Sequence, residues 1–526
     1  MRRAKLAATL CAALSLTSPA RAADKSFDVV EASIADIQKA YLDHRVTAHA
    51  VVQAYLDRMA AYDKKGPKIN SVIVLNPQAL AEADTLDAAV ARDGKLTGSL
   101  HGIPVLLKDQ ADLGGLPTTL GSLVLKDYVP TKDAGAVVKL KQAGAIILAK
   151  MTLGELGGND TYGSLFGETR NPYDTTRTVG GSSGGPAAGV NANFGTVGIG
   201  EEDNASIRRP AGWNALVGIR PTPGIVTRTG MWAGYPSPVG SLGPMTHTVT
   251  DAAKVLDAMA GYDPEDPVTA LGRGHIPDTY TKFLDKDGLK GARIGVIRQQ
   301  MAANSEPNSD DFKNVTTVFD KAIEDLRAAG ATIVEVNIPD LTAAIATRTN
   351  NPADDAPSNY FARNPNPAFK SNKDILASPA YGQTMNAKRA AYAATHPTPP
   401  PQGTAEERYA RYVTARDRLN VEIAKIMADN DLVALVHKTV EHTPTPIKEG
   451  INPPYTSAKG VPALNTFLIY AASMTVPAGY TAAGLPVGIT FFAPAYQEPA
   501  IIKLAYAYEQ ATHHRVPPKS TPPLKR

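Results

Sequence analysis

Apolar and polar positions along this chain alternate with two periods, and each change of period marks an element. Apolar residues three and four apart predict helices over Ala32–Asp43 and Thr47–Tyr62, closing near Gly66, and another over the Ala-rich Pro77–Asp93. Between them Asn70–Leu75 reads as a short strand, and Gly102–Leu107 is an apolar strand running into Lys108. Asp133–Gln142, then Gly144, then Ala145–Leu148 read as helix, cap and buried strand. The clearest succession is Arg293–Ile297, Ser309–Ala329 and Thr332–Val336. Its central helix carries Val315, Val318, Phe319, Ala322, Ile323 and Leu326 on one face and stops at Gly330. Strand, helix, strand at this spacing is a βαβ unit, which implies a largely parallel sheet covered by helices. A helix over Ala405–Asp429 and apolar strands near Leu432–Val436 and Val487–Phe491 complete an α/β pattern without internal repeats.

Two stretches depart from it. Residues 350–403 are rich in Pro, Asn, Asp and Ala and include Pro397-Thr398-Pro399-Pro400-Pro401. Such a segment is either a linker or an excursion that covers a site; long irregular segments within compact domains favour the second. The first 22 residues join a basic start, Met1 to Lys5, to an apolar run, Leu6–Leu16, and to Ala20-Arg21-Ala22. That is the layout of a secretory signal peptide cut after Ala22, with an apolar run too short to span a bilayer. Arg2-Arg3 hints at twin-arginine export, but the residues after it fit poorly.

Composition then changes in meaning. The 526 residues hold 54 basic and 51 acidic side chains, a net charge of +3. Removing the leader takes Arg2, Arg3, Lys5 and Arg21 and no acid, leaving 50 against 51, a net charge of −1. A near-neutral chain gives no reason to expect nucleic acid or an anionic membrane as partner. The one cysteine, Cys11, lies in the leader, so the mature chain has no disulfide, thiolate metal site or cysteine nucleophile. No run of 18 apolar residues follows, so no membrane span is expected, and the simplest location is periplasmic or secreted.

The candidate chemistry lies in three small-residue segments: Gly102–Asp109 with Lys108, Gly180-Gly181-Ser182-Ser183-Gly184-Gly185, and Glu202–Ala211 with Ser206. Ser182 follows Lys108 by 74 residues and Ser206 follows Ser182 by 24. A lysine held neutral can activate a serine, so these residues suffice for acyl transfer. Alone, the glycine–serine run could be a linker. It is not a nucleotide-phosphate loop, since no Gly-Lys-Ser/Thr follows. Read as G-x-S-x-G it makes Ser183 a hydrolase nucleophile, with His437, His442 or His513 available as base.

The stretch from Val179 to Thr222, with the Lys108 segment upstream, resembles the amidase signature family. The resemblance extends to Asn171-Pro172, Gly243-Pro244-Met245, Pro477-Ala478-Gly479 and Gly484-Leu485-Pro486-Val487-Gly488, and so covers most of the mature chain, 23–526. It implies one large α/β domain, a twisted mixed, largely parallel sheet with helices on both faces, and a substrate-covering excursion over 350–430. It implies that Ser206 attacks the amide carbonyl and becomes acylated, and that Ser182, after a cis peptide bond, relays the proton to Lys108. It implies further that backbone N–H groups of Asp203, Asn204, Ala205 and Ser206 bind the oxyanion, with Gly181 and Ser183 beside the substrate. Lys108 serves as base only when neutral; bringing it from ~10.4 to about 7–8 takes roughly 3–5 kcal/mol of disfavoured charge, which burial can supply.

Departures from the family pattern are local. Asn204-Ala205 stands where Gly-Gly is usual, which would strain Ala205 if the family's left-handed backbone were kept. Glu202 replaces the commoner Asp, as in peptide-amidase-like members, and Gly240 replaces an acid before Gly-Pro-Met. His437-Lys438 stands in place of a Pro-Thr turn, and Asp160 and Tyr162 fall where acyl-binding residues often lie. The resemblance implies an amidase acting on linear amides, needing no metal or organic cofactor, with a small-molecule or peptide amide as substrate. Peptide C-terminal, aryl, fatty-acid and aliphatic amides all remain open, as does the oligomeric state. The alternatives are a Ser183/His esterase and a ligand-binding relative without turnover. The amidase component of tRNA-dependent amidotransferases, also in the family, has cytoplasmic partners, which a secretory leader argues against.

Overall fold

A computed structural model describes residues 27–525, apart from 233, 235, 236, 238, 303, 354, 355 and 366–368. The leader and its cut after Ala22 lie outside the described residues. Among those residues eleven strands form one sheet. In chain order they are β1 (Val72–Leu75), β2 (Pro104–Lys108), β3 (Ile146–Met151), β4 (Val197–Glu202), β5 (Val217–Arg220), β6 (Ser241–Thr246), β7 (Arg293–Ile297), β8 (Thr332–Val336), β9 (Ala434–Lys438), β10 (Ala472–Tyr480) and β11 (Pro486–Ala493). Across the sheet they run β1-β3-β2-β4-β6-β5-β10-β11-β9-β7-β8.

The sheet is mixed, as the resemblance implies; only the expectation that it is largely parallel is corrected. Only β2–β3, β2–β4, β7–β8 and β7–β9 are parallel. The other neighbours, β1–β3, β4–β6, β6–β5, β5–β10, β10–β11 and β11–β9, are antiparallel. Parallel pairs need long crossovers, which the helices Gly135–Gln142 and Asp310–Ala328 supply; short links such as that from Tyr480 to Pro486 make antiparallel ones.

Every residue of β2, β3 and β4 is buried. Alternate strand residues point to opposite faces, so both faces of this part of the sheet are covered. The segment expected to be irregular carries helices at Ala356–Arg363, Asn372–Ala377 and Met385–Thr395 before the long helix Ala405–Asp429. No described helix is long and apolar enough to cross a membrane.

The two ends of the described chain are tied together. Arg515 donates from Nε and Nη2 to the two Glu31 oxygens at 2.7 and 2.8 Å. Arg58, buried in the helix Ala48–Tyr62, donates to the carbonyls of Ala192, Asn193, Thr521 and Pro522.

Candidate active site

Parallel pairing of β2 with β4, with Leu107 opposite Ile199, brings their C-terminal ends to the same edge. Lys108 leaves one strand there and Glu201 and Glu202 leave the other, which is where α/β sheets gather their chemistry. The Gly180–Gly185 run crosses that edge. Its peptide bond Gly181–Ser182 is cis, and Gly184 opens the buried helix Gly184–Asn191. These glycines serve close packing, not flexibility: a Cβ on Gly184 would run into the Thr161 hydroxyl, and one on Gly185 into the Thr152 carbonyl.

Lys108 and Ser182 meet directly. Lys108 Nζ donates to Ser182 Oγ at 2.8 Å, to the Glu201 carbonyl at 3.3 Å and to Glu201 Oε2 at 3.1 Å. Lys108 is wholly buried and Ser182 nearly so. Burial draws the lysine below its ordinary range, against the pull of Glu201 toward the ammonium.

Ser206 is half-buried and lines a cavity of about 930 Å³ with Gly181, Asp203, Asn204 and Ala205. Its Oγ makes no hydrogen bond among the described residues; catalytic hydrogen bonds often close only when substrate is bound. Among those residues the backbone N–H groups of Asp203, Asn204, Ala205 and Ser206 also have no acceptor. A run of free donors facing a cavity suits an oxyanion. Neither Asn204 nor Ala205 has a positive φ, so the expected strain at Ala205 is absent.

The nucleophile loop is braced on both sides. The Glu202 carboxylate accepts from Ile207 and Arg208 backbone N–H at 2.8 Å each and pairs with the Arg208 guanidinium. This satisfies the open N-terminus of the helix Arg208–Trp213. Arg209 donates from Nε and Nη2 to the Gly181 carbonyl at 3.0 and 2.8 Å and pairs with Asp160 at 2.8 Å.

Several expected residues fall elsewhere. Ser183 is buried outside the cavity wall; its Oγ donates to the Glu201 carbonyl and accepts from Glu201 N–H, and its own N–H donates to the Ser206 carbonyl. Among the described residues no histidine hydrogen-bonds to it. His437 is buried with Nδ1 on the Lys438 carbonyl, His442 is held by Asp311 and the Ser305 carbonyl, and His513 ends the last helix. The Ser183/His arrangement is therefore not assembled. Asp160 is occupied by Arg209, and Tyr162 is buried off the cavity.

Residues the sequence did not single out complete the site. Leu156–Asn159 and Trp232 form one side of the cavity, and Arg348, Asn350, Asn372, Tyr381, Tyr409 and Tyr412 the other. Apart from Arg348, the second group comes from the Pro- and Asn-rich excursion and the helix after it. Among the described residues no group of three His, Cys, Asp or Glu side chains could hold a metal ion.

Known proteins share this arrangement of elements. A family model described as Amidase matches residues 50–502. A glutamyl-tRNA(Gln) amidotransferase subunit of Gloeobacter violaceus is 34% identical over 510 residues, 94% of this chain and 100% of that protein. A probable amidase of Arabidopsis thaliana is 31% identical over 519 residues, 94% of this chain and 92% of its own. The X-ray structure of native peptide amidase from Stenotrophomonas maltophilia is 34% identical, covers 93% of this chain and 98% of its own, and superposes with a TM-score of 0.76.

Proposed function

Because this chain belongs to the amidase family and is a hydrolase of amide carbon–nitrogen bonds, we propose that Ser206 is its nucleophile, Ser182 its proton relay and Lys108 its base. The observation that carries the reading is the 2.8 Å contact of wholly buried Lys108 with Ser182, beside a cavity onto which Ser206 opens. Ser206 Oγ bonds to the acyl carbon as its proton passes through Ser182 to the amine of Lys108. The free N–H groups of residues 203–206 take the oxyanion, and Gly181 keeps its place through Arg209. The proton then returns through Ser182 to the leaving nitrogen, and water hydrolyses the acyl-enzyme.

The substrate we infer is an amide carried by a peptide. The likeness to peptide amidase supports it, as does a cavity of about 930 Å³, roomier than a small aliphatic amide requires. The excursion from 350 to 430 shapes the far wall. Ammonia release from peptide amides, aryl acylamides and acetamide tests the reading. The expectation is kcat/KM at least tenfold higher on a peptide amide, abolished in Ser206→Ala and lowered about a thousandfold or more in Lys108→Ala. Full activity in either variant overturns the roles; equal rates on acetamide overturn the substrate.

We also infer that the protein is exported to the periplasm or beyond, on the composition of residues 1–22. Cell fractionation with N-terminal sequencing should find a chain beginning at Ala23; an uncut cytoplasmic chain would refute export.

A further inference from the structure

A lysine that acts as base must lose a proton before the reaction begins, and the surroundings of Lys108 show where that proton goes. Its Nζ faces three acceptors, Ser182 Oγ, the Glu201 carbonyl and Glu201 Oε2, which is the coordination of an ammonium. The Lys108 and Glu201 side chains are 0% and 3% exposed. Burial penalises both charges of such a pair, so amine plus carboxylic acid competes with ammonium plus carboxylate at the same total charge.

The far side of Glu201 is equally specific. Its second oxygen, Oε1, is buried and has no donor among the described residues. Gly240 lies against it: a Cβ there would sit 3.3 Å from Glu201 Oε1 and 2.8 Å from Asp203 Oδ1. The missing side chain at 240 leaves room for the Asp203 and Glu201 carboxyls to face each other. Two facing carboxyl groups can hydrogen-bond only through a proton. Enclosure of its carboxyl, then the adjacent Glu201 charge, push Asp203 well above the carboxylate range, in keeping with its holding that proton although the residue opens onto the cavity.

The remaining charges nearby are engaged elsewhere. Glu202 is held by Arg208. Arg220 donates to the carbonyls of Glu202, Leu468, Ile469 and Ala471. Asp109, next to Lys108 in the chain, pairs with Lys150 and accepts from Thr119. Ser182 and Ser183 face the pair from the glycine-rich run, and Gly240 faces it from the segment before β6.

We propose that Glu201 accepts the proton that Lys108 sheds, and that protonated Asp203 holds Glu201 in position from its other oxygen. In the reactive minority of molecules an N–H bond of Lys108 has broken and an O–H bond has formed on Glu201 Oε2, the ion pair being the commoner state, with the total charge the same in both. Asp203 keeps its own proton, donated to Oε1. The Lys108 amine then takes the Ser182 proton as Ser182 takes that of Ser206, and the same proton returns to the leaving nitrogen. No further reactant is needed. Glu201 touches no substrate atom; it is a positioning residue acting through Lys108, and the inference rests on Lys108 being the base.

The test is the pH dependence of Ser206 labelling by a fluorophosphonate, followed by mass spectrometry. A rate constant of labelling reads only the folded fraction, so a partly misfolded variant still reports. In the unaltered protein the acid limb lies where the pair takes up a second proton, and the rate falls below it. In Glu201→Gln the lysine must release its proton to solvent, so the limb should move up by at least one pH unit. The rate at pH 5 should then fall more than tenfold relative to that at pH 9. Glu201→Asp should bring the limb back toward its original position. Asp203→Asn, which still donates to Oε1, should leave the limb where it was, whatever its effect on rate. A limb that stays in place in Glu201→Gln, or moves to lower pH, overturns the inference, as does a limb displaced by Asp203→Asn. Label on a residue other than Ser206, or an unchanged rate in Lys108→Ala, overturns the underlying assignment instead.

Discussion

Arg209, which also lines the cavity, shows how much of the site depends on one side chain. Its fork holds the Gly181 carbonyl by two hydrogen bonds, reaches the Asn159 carbonyl at 3.1 Å, pairs with Asp160 and lies 5.6 Å over the Trp213 ring. A lysine offers a single compact charge and cannot span these partners. Arg209→Lys is therefore expected to slow Ser206 labelling about a hundredfold, since small displacements of reacting groups cost that much. A rate within twofold of the unaltered protein would show that the loop holds its shape without the fork. At this scale Lys108, Ser182 and Ser206 are legible because three spaced motifs agree. Glu201 is not, because an acid at a strand end reads as solvated until pairing of β2 with β4 places it on Lys108. Analogy misleads at Ala205: the loop adopts no left-handed backbone there, so the residue needs none of glycine's freedom.

Among the elements, legibility follows periodicity. The βαβ unit is present with β7 at Arg293–Ile297, the helix at Asp310–Ala328 and β8 at Thr332–Val336, because a strong 3.6-residue pattern and Ser309 as N-cap leave little choice. The hairpin partner β10 escapes a reading by pattern, since Ala472–Tyr480 contains Pro477 and Gly479, which weaken a strand signal. With β10 unseen, its antiparallel pairs with β5 and β11 are unseen too. Pro and Asn between 350 and 403 likewise conceal three helices whose hydrophobic faces only tertiary contacts reveal. Ile375 and Phe361, for example, bury against Trp232 and Tyr128 in a small cluster of their own. The glycine–serine run, which composition alone reads as a linker, is among the most tightly packed turns in the protein.

For the whole molecule, the link between its two ends makes stability depend on acidity. Burial alone would raise Glu31; the charges of His247 and Arg515 and the hydrogen bonds from Arg515 and Asn193 bring it down from 4.5 to about 2. A depressed carboxyl pKa stabilises the fold above the unfolded value, and that stability is lost as pH falls through the folded one. The unfolding midpoint is thus expected to drop between pH 4.5 and 2, and Glu31→Gln to flatten the slope in that window. The contribution is at most about 3 kcal/mol, less for screening of a side chain that is 27% exposed. An unchanged slope in Glu31→Gln, read by thermal or urea unfolding across that range, would remove the ion pair from the acid response.

The same link also sets an order in time. Arg58 lies in the second helix of the chain, yet two of its four carbonyl partners belong to Thr521 and Pro522. Until those residues are available its guanidinium is short of acceptors, and the helix that bears it lacks its final neighbour. A chain emerging from its N-terminus toward its C-terminus thus carries an unfinished seam through almost its whole synthesis. Closure of that seam is therefore open only to a chain whose last residues have been made, and the N-terminal helix waits on the C-terminal segment for its final packing.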